Sequence, residues 1–165
     1  MILPTTAKNL NKQFSYGDKT ENQLLYWASA GFKGTPESQP RFAVWNDEKT
    51  GTLDQRARAW LDINCAHCHN AKGPGNTSGL FLESEQKDLR TVGFCKPPVA
   101  HGRGAGEFKY DIVPGAPNAS ILVYRVASTE PDVMMPELGR KMVHHEGLNL
   151  LREWIAAMDT TNTCQ

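Results

Sequence analysis

Residues 54–69 read Asp54-Gln55-Arg56-Ala57-Arg58-Ala59-Trp60-Leu61-Asp62-Ile63-Asn64-Cys65-Ala66-His67-Cys68-His69. The first half of this stretch is rich in strong helix formers, and Asp54 is of a residue type that caps helix N-termini. Apolar residues recur there at helical spacing, which indicates one buried face. We therefore predict a helix over residues 55–63 that runs directly into Cys65.

The end of the stretch, residues 65–69, is a Cys-x-x-Cys-His motif, the attachment signature of c-type haem. Two thiols three positions apart lie on one turn, from which they can reach the two vinyl groups on one side of a porphyrin. The adjacent histidine can then ligate the iron. We predict one covalent haem c, with Cys65 and Cys68 as its attachment points and His69 as its proximal ligand.

Two other kinds of site can contain this motif. A zinc site usually has a second Cys/His pair at short spacing, whereas the remaining cysteines here, Cys95 and Cys164, lie far apart. A thioredoxin-like redox motif would need a βαβ context, which the sequence does not indicate. In an exported protein two spare cysteines more often pair, so we predict a Cys95–Cys164 disulfide worth about 3–4 kcal/mol.

A second iron ligand is expected downstream, in Pro131-Asp132-Val133-Met134-Met135-Pro136. The prolines stiffen this loop, so that a thioether could be held against iron at little entropic cost. Met135 is the first choice as the ligand and Met134 the second. His/Met ligation gives a higher potential than bis-histidine ligation. The bis-histidine alternative would use one of three residues: His101, His144 or His145.

Charge and hydropathy exclude several function classes. The chain has 18 basic and 18 acidic residues, so no basic stripe predicts nucleic-acid binding. No apolar run approaches the roughly 20 residues that span a bilayer. The N-terminus has neither the basic flank nor the apolar region of a signal peptide. Because haem is attached to this motif outside the cytoplasm, we expect a periplasmic or secreted bacterial protein whose export signal lies outside this sequence.

Further helices are predicted on both sides of the motif. Residues 22–30 form a candidate helix stopped by Gly31, within a segment 1–50 that we interpret as an extension packed on the core. A long loop region spans residues 71–117, and a helix follows over residues 120–126. The last helix is expected from about His144 to Met158.

This order of elements resembles a class I (mitochondrial-type) cytochrome c. At finer grain the chain is similar to monohaem cytochrome c modules of secreted multidomain bacterial redox proteins. The similarity rests on residues 54–69 and on four further groups: Val113-Pro114-Gly115, Ser120-Ile121-Leu122 with Arg125, Met135-Pro136-Glu137-Leu138-Gly139, and Glu153-Trp154-Ile155. It implies an all-α class I cytochrome c fold over residues 51–165, with long loops around one haem, plus the N-terminal extension.

The resemblance also implies roles for single residues. Ala57 would be the small residue where the first and last helices cross. Arg125 would pair with a haem propionate, although an ordinary surface arginine is an equal alternative. The iron would be held by His69 and Met135.

The implied activity is one-electron transfer rather than catalysis. The partner would be a redox protein or a fused redox domain, since such modules are often joined to sugar-dehydrogenase or polysaccharide-binding domains. One alternative is a haem enzyme or gas sensor with a displaceable distal ligand. Another is a carbohydrate-binding surface formed by the aromatic residues of segment 1–50.

Overall fold

The computed structural model describes residues 7–32, 40–99, 102–161 and 164. In chain order the regular elements are α1 (Ala7–Leu10), β1 (Gln13–Ser15), β2 (Thr20–Asn22), α2 (Gln23–Ser29), α3 (Leu53–Leu61), α4 (Leu89–Val92), α5 (Ile121–Ala127) and α6 (His145–Ala156). Short 3₁₀ turns lie between them, and a π-helical segment, Asp62–Ala66, follows α3. Within these ranges no helix is long and apolar enough to cross a membrane.

The prediction of an all-α class I cytochrome c fold is wrong. The described residues form a mixed α/β structure with six α-helices and a two-stranded antiparallel sheet, and 41% of the chain is helical. Strands β1 and β2 pair with Phe14 opposite Glu21. Gly17, at φ 92°, lies in the turn that joins them. Each strand has only three residues, too few to produce a visible alternation of apolar and polar side chains.

Helix α3 begins two residues earlier than the sequence suggested, at Leu53. Thr52 is its N-cap and forms a capping box with Gln55, in which each side chain binds the other residue's backbone N–H. Asp54, the predicted cap, has another role: its Oδ1 accepts a hydrogen bond from Trp154 Nε1 at 2.9 Å. That bond joins the first turn of α3 to α6.

The core lies where α3 crosses α6. Ala57 and Leu61 on α3 and Leu151 and Ile155 on α6 are fully buried. The two helices are in close contact at Gly147, where an added Cβ would lie 2.3 Å from Trp60 Nε1. The packing of the two helices therefore needs a glycine at this point of α6; the predicted role of Ala57 as the small residue of α3 stays a prediction.

The predicted disulfide between Cys95 and Cys164 is confirmed. It joins the C-terminal tail to a turn at Cys95. A hydrogen bond from Cys95 N to the carbonyl of Ile112, at 2.9 Å, fixes this turn in place. Gly115 N donates to the carbonyl of Ile155 at 2.9 Å nearby. The disulfide thus joins the tail after α6 to the long central loop region, and a hydrogen bond joins α6 itself to the same region.

The N-terminal segment touches the rest of the chain through polar contacts. Arg56 Nη1 of α3 donates to the carbonyl of Trp45 at 3.2 Å, and Lys8 forms an ion pair with Glu85. Trp45 also packs against the edge of the core. The division into an extension, 1–50, and a core domain, 51–165, stays a prediction.

Candidate functional site

The Cys-x-x-Cys-His motif lies at the point where α3 passes through the π-helical segment Asp62–Ala66 into a turn. The carbonyl of Cys65 accepts hydrogen bonds from the backbone N–H groups of both Cys68, at 3.0 Å, and His69, at 2.9 Å. All three residues therefore share one turn. Both cysteines are free thiols, Cys65 buried and Cys68 half-buried.

The buried Cys65 suits a neutral sulfur. Burial, together with the neighbouring Cys68, raises the pKa of the Cys65 thiol to about 12, against a smaller lowering by Arg140. A thiolate that ligates zinc or acts as a nucleophile would have to carry its negative charge in this apolar position. A thioether carries no charge, so this environment fits a sulfur bonded to carbon better than an ionised one.

The hydrogen bonds around His69 define its tautomer. Ser78 Oγ lies 3.3 Å from His69 Nδ1 and donates its only proton to the carbonyl of Gly75 at 2.6 Å. The serine oxygen can therefore only accept from the imidazole, so Nδ1 carries the proton and Nε2 keeps its lone pair. A histidine that binds a metal typically donates its other ring N–H in this way.

His69 is also held neutral. Burial is the largest cause that lowers its pKa, and electrostatic interactions with Arg125 and His67 lower it further. A hydrogen bond to the backbone of Leu80 and the carboxylate of Glu137 act in the opposite direction. The lowered pKa favours the neutral imidazole, which is the form that ligates iron.

Two glycines allow the following loop to pass against the motif. A Cβ at Gly73 would lie 2.3 Å from the carbonyl oxygen of Cys68, and one at Gly75 would lie 3.4 Å from His69 Cε1. Gly75 N also donates to the Cys68 carbonyl at 3.0 Å. This close approach places Ser78 beside His69, so the Gly-Pro-Gly stretch has a role in the site.

The predicted methionine ligands lie in a loop that is held on α5. Met135 N donates to the carbonyl of Arg125 at 3.0 Å, and Arg125 Nε donates to the carbonyl of Val133 at 2.9 Å. Met134 and Met135 are both half-buried. The assignment of Met135 as a ligand, with Met134 second, stays a prediction.

Arg125 lies close enough to the motif to affect the pKa of His69. Its Nη2 lies 3.7 Å from Glu137 Oε1, and both charges act on His69. Its guanidinium is therefore shared between the methionine loop and a nearby carboxylate. Pairing of Arg125 with a haem propionate stays a prediction.

Arg140 is a residue of this region that sequence reasoning missed. Its guanidinium donates to the carbonyls of Val126 at 2.9 Å and Arg125 at 3.2 Å, and to that of Ser128. These carbonyls lie in the last turn of α5 and at its C-cap, Ser128. The contacts join residues 12 to 15 positions apart across a loop, so no local pattern signals them.

The alternative histidine ligands have different positions. His101 lies outside the described residues. His144 is the N-cap of α6, and its Nδ1 accepts from Gly147 N at 3.1 Å and Trp60 Nε1 at 3.3 Å. His145 is exposed at the start of α6. The contacts of His144 are those of a residue that joins α6 to α3.

The disulfide bears on the zinc alternative. Since Cys95 and Cys164 are bonded to each other, they cannot join Cys65 and Cys68 in a four-thiolate site. In the part of the chain that the structure describes, no three His, Cys, Asp or Glu side chains are grouped to hold a metal ion. Such clusters hold metal ions directly, whereas an iron held in a porphyrin does not need one.

Comparison with known proteins does not identify a relative. No protein-family model, curated protein or solved structure matches the chain. A function has to be inferred from its own residues.

Proposed function

We propose that this protein is a monohaem c-type cytochrome that transfers one electron at a time. In this proposal Cys65 and Cys68 attach the haem, His69 is the proximal iron ligand and Met135 the distal one. The observation that carries the proposal is the turn at residues 65–69. It combines two free thiols with a histidine whose Nδ1 lies 3.3 Å from the Ser78 hydroxyl and whose lowered pKa favours the neutral imidazole.

The chemistry of attachment fits these thiols. Each thiol would add across one vinyl group, its sulfur bonding to one vinyl carbon and its proton going to the other, so no oxidant is consumed. The product is a neutral thioether, which the buried position of Cys65 accommodates. When bound, haem supplies a one-electron iron couple whose potential depends on its axial ligands and surroundings.

The residues of this chain would keep that couple in a fixed environment. The Ser78 hydroxyl orients the His69 ring, and the contacts of Arg125 hold the loop that carries Met135. His69 is half-buried, which limits the access of water to its ring. A rigid site would let the iron change charge with little rearrangement, as an electron carrier requires.

A compartment and a partner follow from the same proposal. A disulfide such as Cys95–Cys164 persists in oxidising compartments, which supports a periplasmic or secreted protein. The electron would pass to or from a partner redox protein or a fused domain. The resemblance to multidomain bacterial modules suggests a polysaccharide- or sugar-oxidising system as that partner.

The test is the visible spectrum of protein exported together with the haem-maturation machinery, first oxidised and then reduced with dithionite. We expect sharp reduced α and β bands and, in the ferric protein, the weak far-red band of methionine ligation. Met135→Ala should abolish the far-red band, whereas the matched variant Met134→Ala should keep it.

Each departure from these spectra has a distinct meaning. The opposite pattern in the two methionine variants would make Met134 the ligand. A high-spin ferric spectrum with rapid cyanide or CO binding at neutral pH would favour a haem enzyme or sensor. Protein without covalent haem after proper maturation would contradict the central proposal.

A further inference from the structure

Arg125 lies at the centre of the contacts that hold the methionine loop. Its Nε donates to the carbonyl of Val133 at 2.9 Å, and its backbone carbonyl accepts from Met135 N at 3.0 Å. Its Nη2 lies 3.7 Å from Glu137 Oε1. Val133, Met135 and Glu137 are thus all bound to Arg125, a single residue of α5.

The guanidinium of Arg125 has little freedom to move. The side chain is only 16% exposed, and a Cβ on Gly104 would lie 2.6 Å from its Cζ. The backbone of Gly104 therefore packs directly against the guanidinium. The Arg125 carbonyl also accepts from Arg140 Nη2 at 3.2 Å. A planar, charged donor confined in this way makes a well-defined anchor for a loop.

We propose that Arg125 is the positioning residue for the iron ligand Met135. By fixing the loop on both sides of Met135, it keeps the thioether in place against ligands that compete for the iron. The proposal rests on the proposed function, because it presupposes a bound haem. It differs from the predicted propionate pairing, since it assigns the guanidinium to the chain's own loop.

Competition between Met135 and an added ligand for the iron would measure how firmly Arg125 holds the methionine loop. Imidazole can bind the ferric iron only when Met135 has left it, so its apparent affinity scales with the population of the open loop. Removing a hydrogen bond from a charged donor should raise that population roughly 10- to 100-fold. Arg125→Gln should therefore raise the imidazole affinity by this factor and weaken the far-red band.

A matched control separates positioning from general stability. Arg58 is also a buried arginine, 7% exposed, and its Nη2 donates to the carbonyls of Glu83 at 3.3 Å and Ser84 at 3.2 Å. These carbonyls belong to a loop without methionine. Arg58→Gln should lower the thermal stability while the imidazole affinity stays within about twofold of the wild-type value.

Three further variants refine the test. Gly104→Ala leaves Arg125 in the chain but displaces its guanidinium, so it should also raise the imidazole affinity. Arg125→Lys keeps a positive charge without the Nε donor and should give an intermediate value, which serves if the glutamine variant does not fold. Glu137 is 62% exposed, so Glu137→Gln should change the affinity less than about fivefold.

The outcomes distinguish this role from the proposed function. Wild-type protein with a far-red band, combined with unchanged imidazole affinity in the Arg125 and Gly104 variants, would overturn the positioning role alone. An equal increase in Arg58→Gln would also overturn it, since the effect would then reflect stability. Wild-type protein that holds covalent haem but lacks the far-red band would overturn Met135 ligation and with it the positioning role, and protein without covalent haem would overturn both proposals.

Discussion

Replacing Gly147 by alanine should destabilise this protein, although the same change in an ordinary exposed helix stabilises. Gly147 lies in the first turn of α6, where α6 crosses α3. An added Cβ would lie 2.3 Å from Trp60 Nε1 and 2.5 Å from His144 Nδ1. It would therefore disturb two hydrogen bonds, the Trp60–His144 bond of 3.3 Å and the Gly147–His144 cap of 3.1 Å.

The magnitude follows from three contributions. Forcing a methyl group into filled space costs about 1–3 kcal/mol, and losing the helix cap costs about 1 kcal/mol. The higher helix propensity of alanine returns about 1 kcal/mol. The free energy of unfolding should thus fall by about 1–3 kcal/mol, which for a chain of this size lowers Tm by about 3–10 °C.

Urea and thermal unfolding of the holoprotein, followed by circular dichroism, would measure this loss. Asn149→Ala, an exposed position on the same helix, is the matched control and should be neutral or slightly stabilising. In a Trp60→Phe background, which removes the indole nitrogen, Gly147→Ala should cost at least about 1 kcal/mol less. A Gly147→Ala variant as stable as the wild type would refute the close crossing of the two helices.

Three other predictions concern the disulfide, the proximal histidine and acid stability. Cys95→Ser opens a covalent link across 69 positions and should lower the free energy of unfolding by about 4 kcal/mol in urea titrations; unchanged stability would contradict a structural role for the disulfide. Ser78→Ala removes the acceptor for His69 Nδ1–H, so the imidazole donates less electron density to the iron. The reduction potential should therefore rise by roughly 10–50 mV, which is less than the 59 mV that corresponds to a tenfold change in a one-electron equilibrium. Ser78→Thr should keep the wild-type potential, and an equal shift in both variants would show that the hydroxyl is not responsible. A hydrogen bond from Thr91 lowers the pKa of Asp88 below its ordinary value of 3.8. The stability that the Asp88 carboxylate contributes is therefore fully present above pH 3.8, and it is lost as the pH falls through the pKa of Asp88 in the folded protein. Asp88→Asn should accordingly flatten the dependence of Tm on pH below about pH 5, and a profile identical to that of the wild type would be the contrary result.

Local sequence patterns predicted the elements that depend on residues close together in the chain. The helices near residues 22–30, 54–63, 120–126 and 144–158 were all found, because each depends on side chains three or four positions apart. The turn that presents the two thiols and the histidine follows from their spacing alone. The capping box of α3 and the turn at Gly17 were also readable, as a Thr-x-x-Gln pattern and a Gly-Asp pair, but were missed.

Contacts between distant residues could not be predicted in the same way. The Trp154–Asp54 bond, the Gly147–Trp60 approach and the arginines that bind loop carbonyls join positions that share no local period. The two-stranded sheet makes the fold mixed α/β and not all-α. The sequence did not predict it, because two short strands pair through their backbone groups and need no particular side chains.

The sequence by itself determined the chemistry of the candidate site, since two thiols and a histidine at fixed spacing can occupy one turn in any fold. It also limited the disulfide to one reasonable pair, once the motif cysteines were set aside. Only the tertiary structure decided the tautomer of His69 and the anchoring of Met135, because Ser78 and Arg125 reach these residues through loops. Hydrogen-bond partners are chosen by distance in space, and that distance is set by how the helices and loops pack.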